Sequence, residues 1–281
     1  MELRFWGVRG SIASPGALTW GIGGNTTCVS VRHESYVFIF DAGTGLRLLG
    51  ESLLAERPTP WRGGFFLTHY HWDHIQGLPF FAPAFIKGNA FELYGEPKAG
   101  MDVKEILGNQ MLAPYFPVPF NLQQGLITFK NISPGDVVEP LPGFRVKTGR
   151  LRHPNDAIGY RLEAMGVSVS IVTDHEHPDG HLHEGVVEFV RGTDVLIHDS
   201  QYHPAEKKGP KAGWGHSSWE ESALTAKAAG AGTLYLSHHD PTRTDAQVME
   251  ILDMARKVFP GTQVAKEGLA VDLSKLGKSG G

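Results

Sequence analysis

Cysteine is almost missing from this chain: Cys28 is the only one in 281 residues. That excludes an intramolecular disulfide and any zinc site built on thiolates. Cys28, opening the run Cys28-Val29-Ser30-Val31, reads as a small core residue. Long apolar runs are missing too. No stretch approaches the roughly 20 residues that span a bilayer, and Met1-Glu2-Leu3-Arg4-Phe5-Trp6 lacks the apolar core of a secretory signal and reads at once as strand. The expectation is a cytoplasmic protein with no membrane partner. A surplus of positive charge is also lacking: 26 Lys and Arg stand against 30 Asp and Glu, a formal net charge of −4. Nothing global therefore attracts nucleic acid or an anionic surface, although a local basic groove remains open. Repeats, linkers and compositional breaks are absent, so residues 1–273 are expected to form one domain. Residues 274–281 carry no apolar anchors and are expected to be a disordered tail.

What the chain has is histidine, 14 in all, most of it clustered. The densest cluster is Thr68-His69-Tyr70-His71-Trp72-Asp73-His74, led in by Gly63-Gly64-Phe65-Phe66-Leu67. The apolar lead reads as a buried strand running into a loop. His69 and His71 are two apart, so on extended backbone they point to one side. Asp73 and His74 follow where the chain bends into a short helix at Ile75-Gln76-Gly77. One loop cannot wrap a single ion with all four side chains. It can offer two to one ion and two to a neighbour.

The rest of the chain alternates strand and helix patterns. Strands are expected at residues 3–8, 28–31, 36–40, 91–94, 127–129, 136–138, 144–148, 167–172, 195–197 and 233–236, with edge strands at 264 and 269–271. Leu46, Leu49, Leu53 and Leu54 share one face of a helix over 46–55, and further helices are expected at 103–107, 182–190, 219–229 and 246–258. Asp41 follows four apolar residues, so it is expected to be partly buried and to need donors. Leu78-Pro79-Phe80-Phe81-Ala82-Pro83-Ala84-Phe85 reads as core packing, or as an apolar wall or dimer contact. Residues 111–120, with three prolines and Tyr115, Phe116 and Phe120, suggest a lid or partner-facing loop. His175, His177, His181 and His183 sit in a Gly- and Pro-containing loop and exceed any plausible metal shell; they read as a solvated rim. Lys207, Lys208 and Lys211 read as a solvated charge run. Ser217 or Ser218 suits the cap of the 219–229 helix, with Glu220 and Glu221 in its first turn.

His69-x-His71-x-Asp73-His74 resembles the signature of the metallo-β-lactamase superfamily. Most of the chain is similar to the ribonuclease Z and phosphodiesterase branch of that family. His153-Pro154, followed by Gly159-Tyr160, resembles its third motif. Asp174, ending a strand, matches its bridging carboxylate, and Asp41 the aspartate that braces the metal loop. His198-Asp199-Ser200 stands where ribonuclease Z-like chains carry His-Glu-Ala-Thr, one methylene longer at Asp199. His216-Ser217-Ser218 resembles the His-Ser-Thr motif. Ser237-His238 aligns with the last ligand, His239 being the adjacent alternative. The resemblance implies an α/β (α+β) fold: a four-layer αββα sandwich, two mixed β-sheets flanked by helices. It also implies two divalent metal ions per chain. His69, His71 and His153 would hold the first, and Asp73, His74 and His238 the second, with Asp174 between them. Oxygen and imidazole donors without sulfur suit Zn²⁺, with Mn²⁺ or Fe²⁺ as alternatives.

Two such ions lower the pKa of a bound water from about 15.7 towards about 7, which suits attack on an anionic phosphodiester. The resemblance therefore implies a binuclear hydrolase with Asp73, His216 and Asp199 as catalytic groups, His216 being the acid for the leaving group and Asp199 its orienter. The expected substrate is a small nucleotide, cyclic ones included. No long insertion interrupts the middle of the chain, so RNA is the larger alternative, and a second copy of the chain the expected protein partner. The competing hydrolase is a thioester or lactone hydrolase of the glyoxalase II or lactonase type. A redox diiron protein would carry a carboxylate for the second loop histidine and a flavin domain, and a binding protein would have lost ligands.

Overall fold

The computed structural model describes residues 1–56, 60–119, 126–178, 180–209 and 211–276. The strands run, in chain order, β1 (Glu2–Gly7), β2 (Cys28–His33), β3 (Tyr36–Phe40), β4 (Arg62–Phe66), β5 (Ala90–Gly95), β6 (Leu126–Asn131), β7 (Val137–Leu141), β8 (Phe144–Leu151), β9 (Ala157–Ala164), β10 (Val167–Val172), β11 (Val195–Asp199), β12 (Thr233–Ser237), β13 (Thr262–Val264) and β14 (Ala270–Asp272). They make two seven-stranded sheets, ordered β14-β1-β2-β3-β4-β5-β6 and β13-β12-β11-β10-β9-β8-β7. Both sheets are mixed in the same way. From β14 to β3 the pairs are antiparallel and from β3 to β6 parallel; from β7 to β10 they are antiparallel and from β10 to β13 parallel.

Side-chain alternation explains the layering. In β3, Phe38 and Phe40 enter the cluster between the sheets with Tyr160, Val169 and Ile197. Val37 and Ile39 point the other way, to Leu46, Leu49 and Leu53. In β12, Tyr235 joins the inner cluster while Leu234 and Leu236 meet Ala223, Ala226 and Ile251. Strands buried on both faces in this way need helices outside, so the expected four-layer αββα sandwich is what forms.

The helices are α1 (Leu46–Ala55), α2 (Trp72–Ile75), α3 (Val103–Gln110), α4 (Glu184–Phe189), α5 (Pro204–Lys207), α6 (Trp219–Ala229) and α7 (Asp245–Val258). Capping boxes open four of them: Asp102 with Glu105, His203 with Glu206, Ser218 with Glu221, and Thr244 with Gln247. Ser218, not Ser217, is thus the cap of α6. Gly230 closes α6 at φ 65°, the left-handed region. α4 is shorter than the 182–190 expected, because its amides start from His183.

Residues 78–85 form two 3-10 turns led by their prolines, with Phe81 buried against Phe65 and Phe91 and Phe80 exposed. Packing is therefore their main role. In the proline-rich segment, Met111 is buried, Tyr115 is exposed and Phe116 meets Phe80 edge-on; Phe120 lies outside the described residues. Ser274 and Lys275, read as the start of the tail, belong to an ordered turn. Leu273–Lys275 is a 3-10 turn in which the Ser274 amide donates to Asp272, and residues 277–281 lie outside the described residues.

Candidate metal centre

The functional side chains sit at the carboxyl ends of strands, along one edge of the sandwich. Asp41 follows β3, the His69–His74 loop follows β4, His153 follows β8, Asp174 follows β10, Asp199 ends β11 and His238 follows β12. Open α/β sheets bind ligands at this end, where the chain leaves each strand. Asp41, Asp174 and His238 have positive φ (60°, 58° and 57°). Non-glycine residues rarely adopt this conformation, and three of them at one edge turn buried polar side chains into a common space.

The donors fall into two triads, His69–His71–His153 and Asp73–His74–His238. His71 Nδ1 lies 3.1 Å from His153 Nε2. In the second triad, His74 Nε2 is 3.3 Å from His238 Nε2, and both are 3.3 Å from Asp73 Oδ2. Asp174 reaches both. Its Oδ1 is 3.9 Å from His69 and 3.7 Å from His153, and its Oδ2 is 3.0 Å from His74 and 3.2 Å from His238. A tetrahedral cation with donors at about 2.1 Å holds them about 3.4 Å apart, which is the scale of these gaps.

Outer hydrogen bonds fix which nitrogen each histidine turns inward. His153 Nδ1–H donates to Gly215 O (2.8 Å), His74 Nδ1–H to Asp41 Oδ2 (2.9 Å), His238 Nδ1–H to Gln201 Oε1 (2.8 Å) and His69 Nδ1–H to Thr68 Oγ1 (3.0 Å). Each leaves Nε2 as the nitrogen that faces the cluster. His69 Nε2 is buried and makes no hydrogen bond. A buried acceptor without a donor is costly, and this one faces the other donors of the cluster. The donor set thus fits divalent cations.

The charges agree. Burial and neighbouring histidines push His69 down, and burial does the same to His71 and His153, so these three are neutral and competent as ligands. Burial opposes protonation of His74, but Asp174, Asp73 and Asp41 overcome it and hold its pKa well above the usual value. Burial likewise opposes protonation of His238, yet Asp174 and the hydrogen bond to Asp73 push it up to about 9. Burial would raise Asp73 and Asp174; the surrounding histidines instead hold both below the usual carboxylate range. Without metal, protons on His74 and His238 balance these carboxylates, and cations that enter displace them.

His216 borders both triads. Its Nδ1–H donates to Asp199 Oδ2 at 2.9 Å and lies 3.7 Å from Asp174 Oδ1, and its ring stacks on His238 with centroids 5.1 Å apart. Asp199 is fully buried and reaches His216 despite its shorter side chain; it also accepts from the amides of Gln201 and His175. Two further metal-sized triads, His153–Asp174–His216 and Asp199–His216–His238, share His216. The Asp199 bond occupies Nδ1 of the ring.

His239 does not enter the cluster. Its Nε2–H is directed at Ala265 O (3.4 Å), and burial beside Arg9 lowers its pKa to about 3. We expect His238→Ala to lower metal occupancy about 10- to 100-fold in affinity, taking the scale of a lost supporting contact as the lower bound. His239→Ala should leave occupancy close to wild type. Metal titration of both variants checks this, and the reverse pattern would move the ligand by one residue.

Several supporting residues were invisible in the sequence. The Ser11 amide donates to Asp73 Oδ2 (2.7 Å), and Gln201 Nε2–H donates to Ser11 Oγ (3.1 Å), so Gln201 joins His238 to the loop that holds Asp73. Thr68 binds both Asp41 oxygens. The only signal was glycine: a Cβ on Gly10 would come within 2.5 Å of the His238 ring, and one on Gly215 within 2.2 Å of His153. The reading of 175–183 as a solvated loop is corrected in part: His181 is exposed and His183 half-buried, but the first two histidines are not on a rim. His175 and His177 are fully buried, and accept at Nδ1 from the amides of Arg152 and His183. Their Nε2 therefore carries the proton and offers no lone pair to a cation. The charge run is corrected in part. Lys207 is buried, bonded to His177 O and paired with Glu221, and Lys211 pairs with Asp240 at 2.6 Å.

A sandwich of two mixed sheets with His and Asp triads on one strand-end edge defines the class of a metal-binding hydrolase fold. The family model described as "Beta-lactamase superfamily domain" matches residues 36–239, and the chain belongs to that superfamily. It is 26% identical to the ribonuclease Z of Methanothermobacter thermautotrophicus, covering 99% of both chains. Among solved structures it is similar to the metallo-β-lactamase fold protein YhfI from Bacillus subtilis (20% identity, TM-score 0.71, 96% of this chain and 99% of that one). The short form of human tRNase Z is another (22% identity, TM-score 0.66, 97% and 99%).

Proposed function

We propose that the chain is a metal-dependent phosphodiester hydrolase. The observation that carries this reading is the Asp199–His216 pair set against the Asp174 edge of the donor cluster, because it places a proton donor beside a site for cations. Full-length similarity to proteins named ribonuclease Z supports it. Under this reading His69, His71 and His153 would hold one divalent ion and Asp73, His74 and His238 a second, with Asp174 between the two sets, Zn²⁺ being the metal that suits the donors best. Cations bound there supply a Lewis acid and a low pKa for a bound water, from about 15.7 in bulk towards about 7.

The chain's own residues do the rest. Asp41, Thr68, Gln201 and Gly215 fix the ligand imidazoles, so that no reorganisation accompanies the reaction. Asp73, itself held by the Ser11 amide, would orient the attacking water. Asp199 keeps the Nδ1 proton on His216 and balances the imidazolium form, so Nε2–H can pass to the leaving oxygen. The substrate is a small nucleotide, cyclic ones included, or an RNA phosphodiester.

The reading includes one domain over residues 1–273 and a cytoplasmic homodimer, which sedimentation and fractionation would check. No helix among the described residues is long and apolar enough to cross a membrane. The function is tested by metal analysis of gently purified protein, then a panel of bis-p-nitrophenyl phosphate, cyclic nucleotides, short RNA and a thioester. We expect two metals per chain and turnover of the phosphodiesters alone. Thioester turnover without phosphodiester turnover would reassign the chain to the glyoxalase II type.

A further inference from the structure

Three large apolar side chains stand exposed within one residue of groups bonded to the donor cluster. Trp72 is 65% exposed between His71 and Asp73. Trp214 is 59% exposed and precedes Gly215, whose carbonyl accepts from His153. Ile12 is 62% exposed and follows Ser11, whose amide donates to Asp73. Adjacent Cα atoms lie about 3.8 Å apart, so all three belong to the mouth of the cluster. The residues bearing the two indoles are linked through one ligand pair: His71 next to Trp72, then His153, then Gly215 next to Trp214.

Trp214 is also held rigidly. Glu176, mostly buried, accepts from the Gly213 amide with Oε1 (2.8 Å) and from the Gly215 amide with Oε2 (2.9 Å), bracketing the indole's own residue. The Glu176 amide in turn donates to Arg152 O (2.8 Å), next to His153. Single exposed apolar side chains are ordinary. A tryptophan fixed by a carboxylate clamp on both sides, facing water beside a metal-ready cluster, has the form of a preorganised contact. Arg152 adds charge. It is exposed, adjoins His153 and forms no ion pair among the described residues.

We infer that Trp72 and Trp214, with Ile12 beside them, form a stacking subsite for the base of a nucleotidyl phosphodiester, and that Arg152 supplies positive charge to its phosphate. This rests on the phosphodiesterase reading and narrows it: the substrate carries a flat ring next to the phosphate that is cut. Every base has a π-face, so such a subsite selects nucleotides over alkyl esters while tolerating base identity.

Binding and turnover test it separately. In calorimetric titrations of metal-loaded protein, thymidine 5′-monophosphate should bind at least roughly fivefold more tightly than ribose 5-phosphate, the least expected of one stacked base. Trp214→Ala and Trp72→Ala, compared at matched metal content, should shrink that preference, and their double variant should abolish it. Trp214→Phe, which keeps a π-face, should retain much of it. In kinetics, the kcat/KM ratio of thymidine 5′-(p-nitrophenyl phosphate) to methyl p-nitrophenyl phosphate should fall in the alanine variants, mainly through KM; the two esters share a leaving group. Equal binding of the two phosphates by the wild type, or a preference that survives loss of both tryptophans, overturns the subsite. A tryptophan-dependent preference with turnover of neither ester removes the phosphodiesterase reading and leaves the subsite standing.

Discussion

Asp174→Ala is expected to lose most of the activity, roughly 10²–10⁴-fold, the scale of several kcal/mol of electrostatic stabilisation, and to hold fewer than two metals per chain. Asp174 is the only described carboxylate whose two oxygens divide between the triads, Oδ1 towards His69 and His153, Oδ2 towards His74 and His238. Without it, no anion joins the two halves. The fold should survive, because the cluster lies at the strand ends and the sandwich core is built from other residues. The backbone at Asp174 has φ 58°, which asparagine tolerates better than alanine. Asp174→Asn therefore separates the two effects: it keeps the conformation and removes the anionic bridge, so it should match the alanine variant in activity and exceed it in thermal stability. Elemental analysis, circular dichroism melting and turnover on bis-p-nitrophenyl phosphate measure all three. Full activity with one metal per chain would refute a binuclear site.

How much of this was legible follows from how far apart the residues lie in the chain. His69, His71, Asp73 and His74 share one loop, so their spacing alone marked them. His153, Asp174 and His238 are single residues after strands, and only the resemblance to a known family joined them to the first four. Asp41 could be read because a carboxylate after four apolar residues must find partners, and it does, in Thr68 and His74. Ser11 and Gln201 carry no such mark. They become supports only when the loop after β1 folds back across the cluster, and nothing local to either residue requires that. The misread segments fail for the opposite reason. Gly and Pro around His175–His183, and lysines around Lys207, are the composition of solvated loops; here α6 and the Lys207–Glu221 pair pack over His175, His177 and Lys207 and bury those three. Tertiary covering of a polar loop leaves no trace in local pattern.

The second large effect belongs to His216. Attack on phosphorus needs no proton from this residue, but departure of an alkoxide does, so the defect in His216→Ala should depend on the leaving group. General acid help is typically worth about 10²–10⁴ in rate; a loss of that size is expected on a cyclic nucleotide, whose leaving group is a ribose alkoxide. p-Nitrophenolate leaves without a proton, so on bis-p-nitrophenyl phosphate the loss should be about tenfold or less, well below the range for a general acid. Asp199→Asn should share part of the first defect. It keeps the 2.9 Å contact to Nδ1 but removes the charge that balances the imidazolium. The triads His153–Asp174–His216 and Asp199–His216–His238 supply the competing role, a third metal ligand. Metal content decides between them. A ligand's removal lowers occupancy and slows both substrates together, whereas an acid's removal keeps occupancy and slows only the substrate with the poor leaving group. Equal losses on both substrates at matched metal content would take His216 out of the acid role.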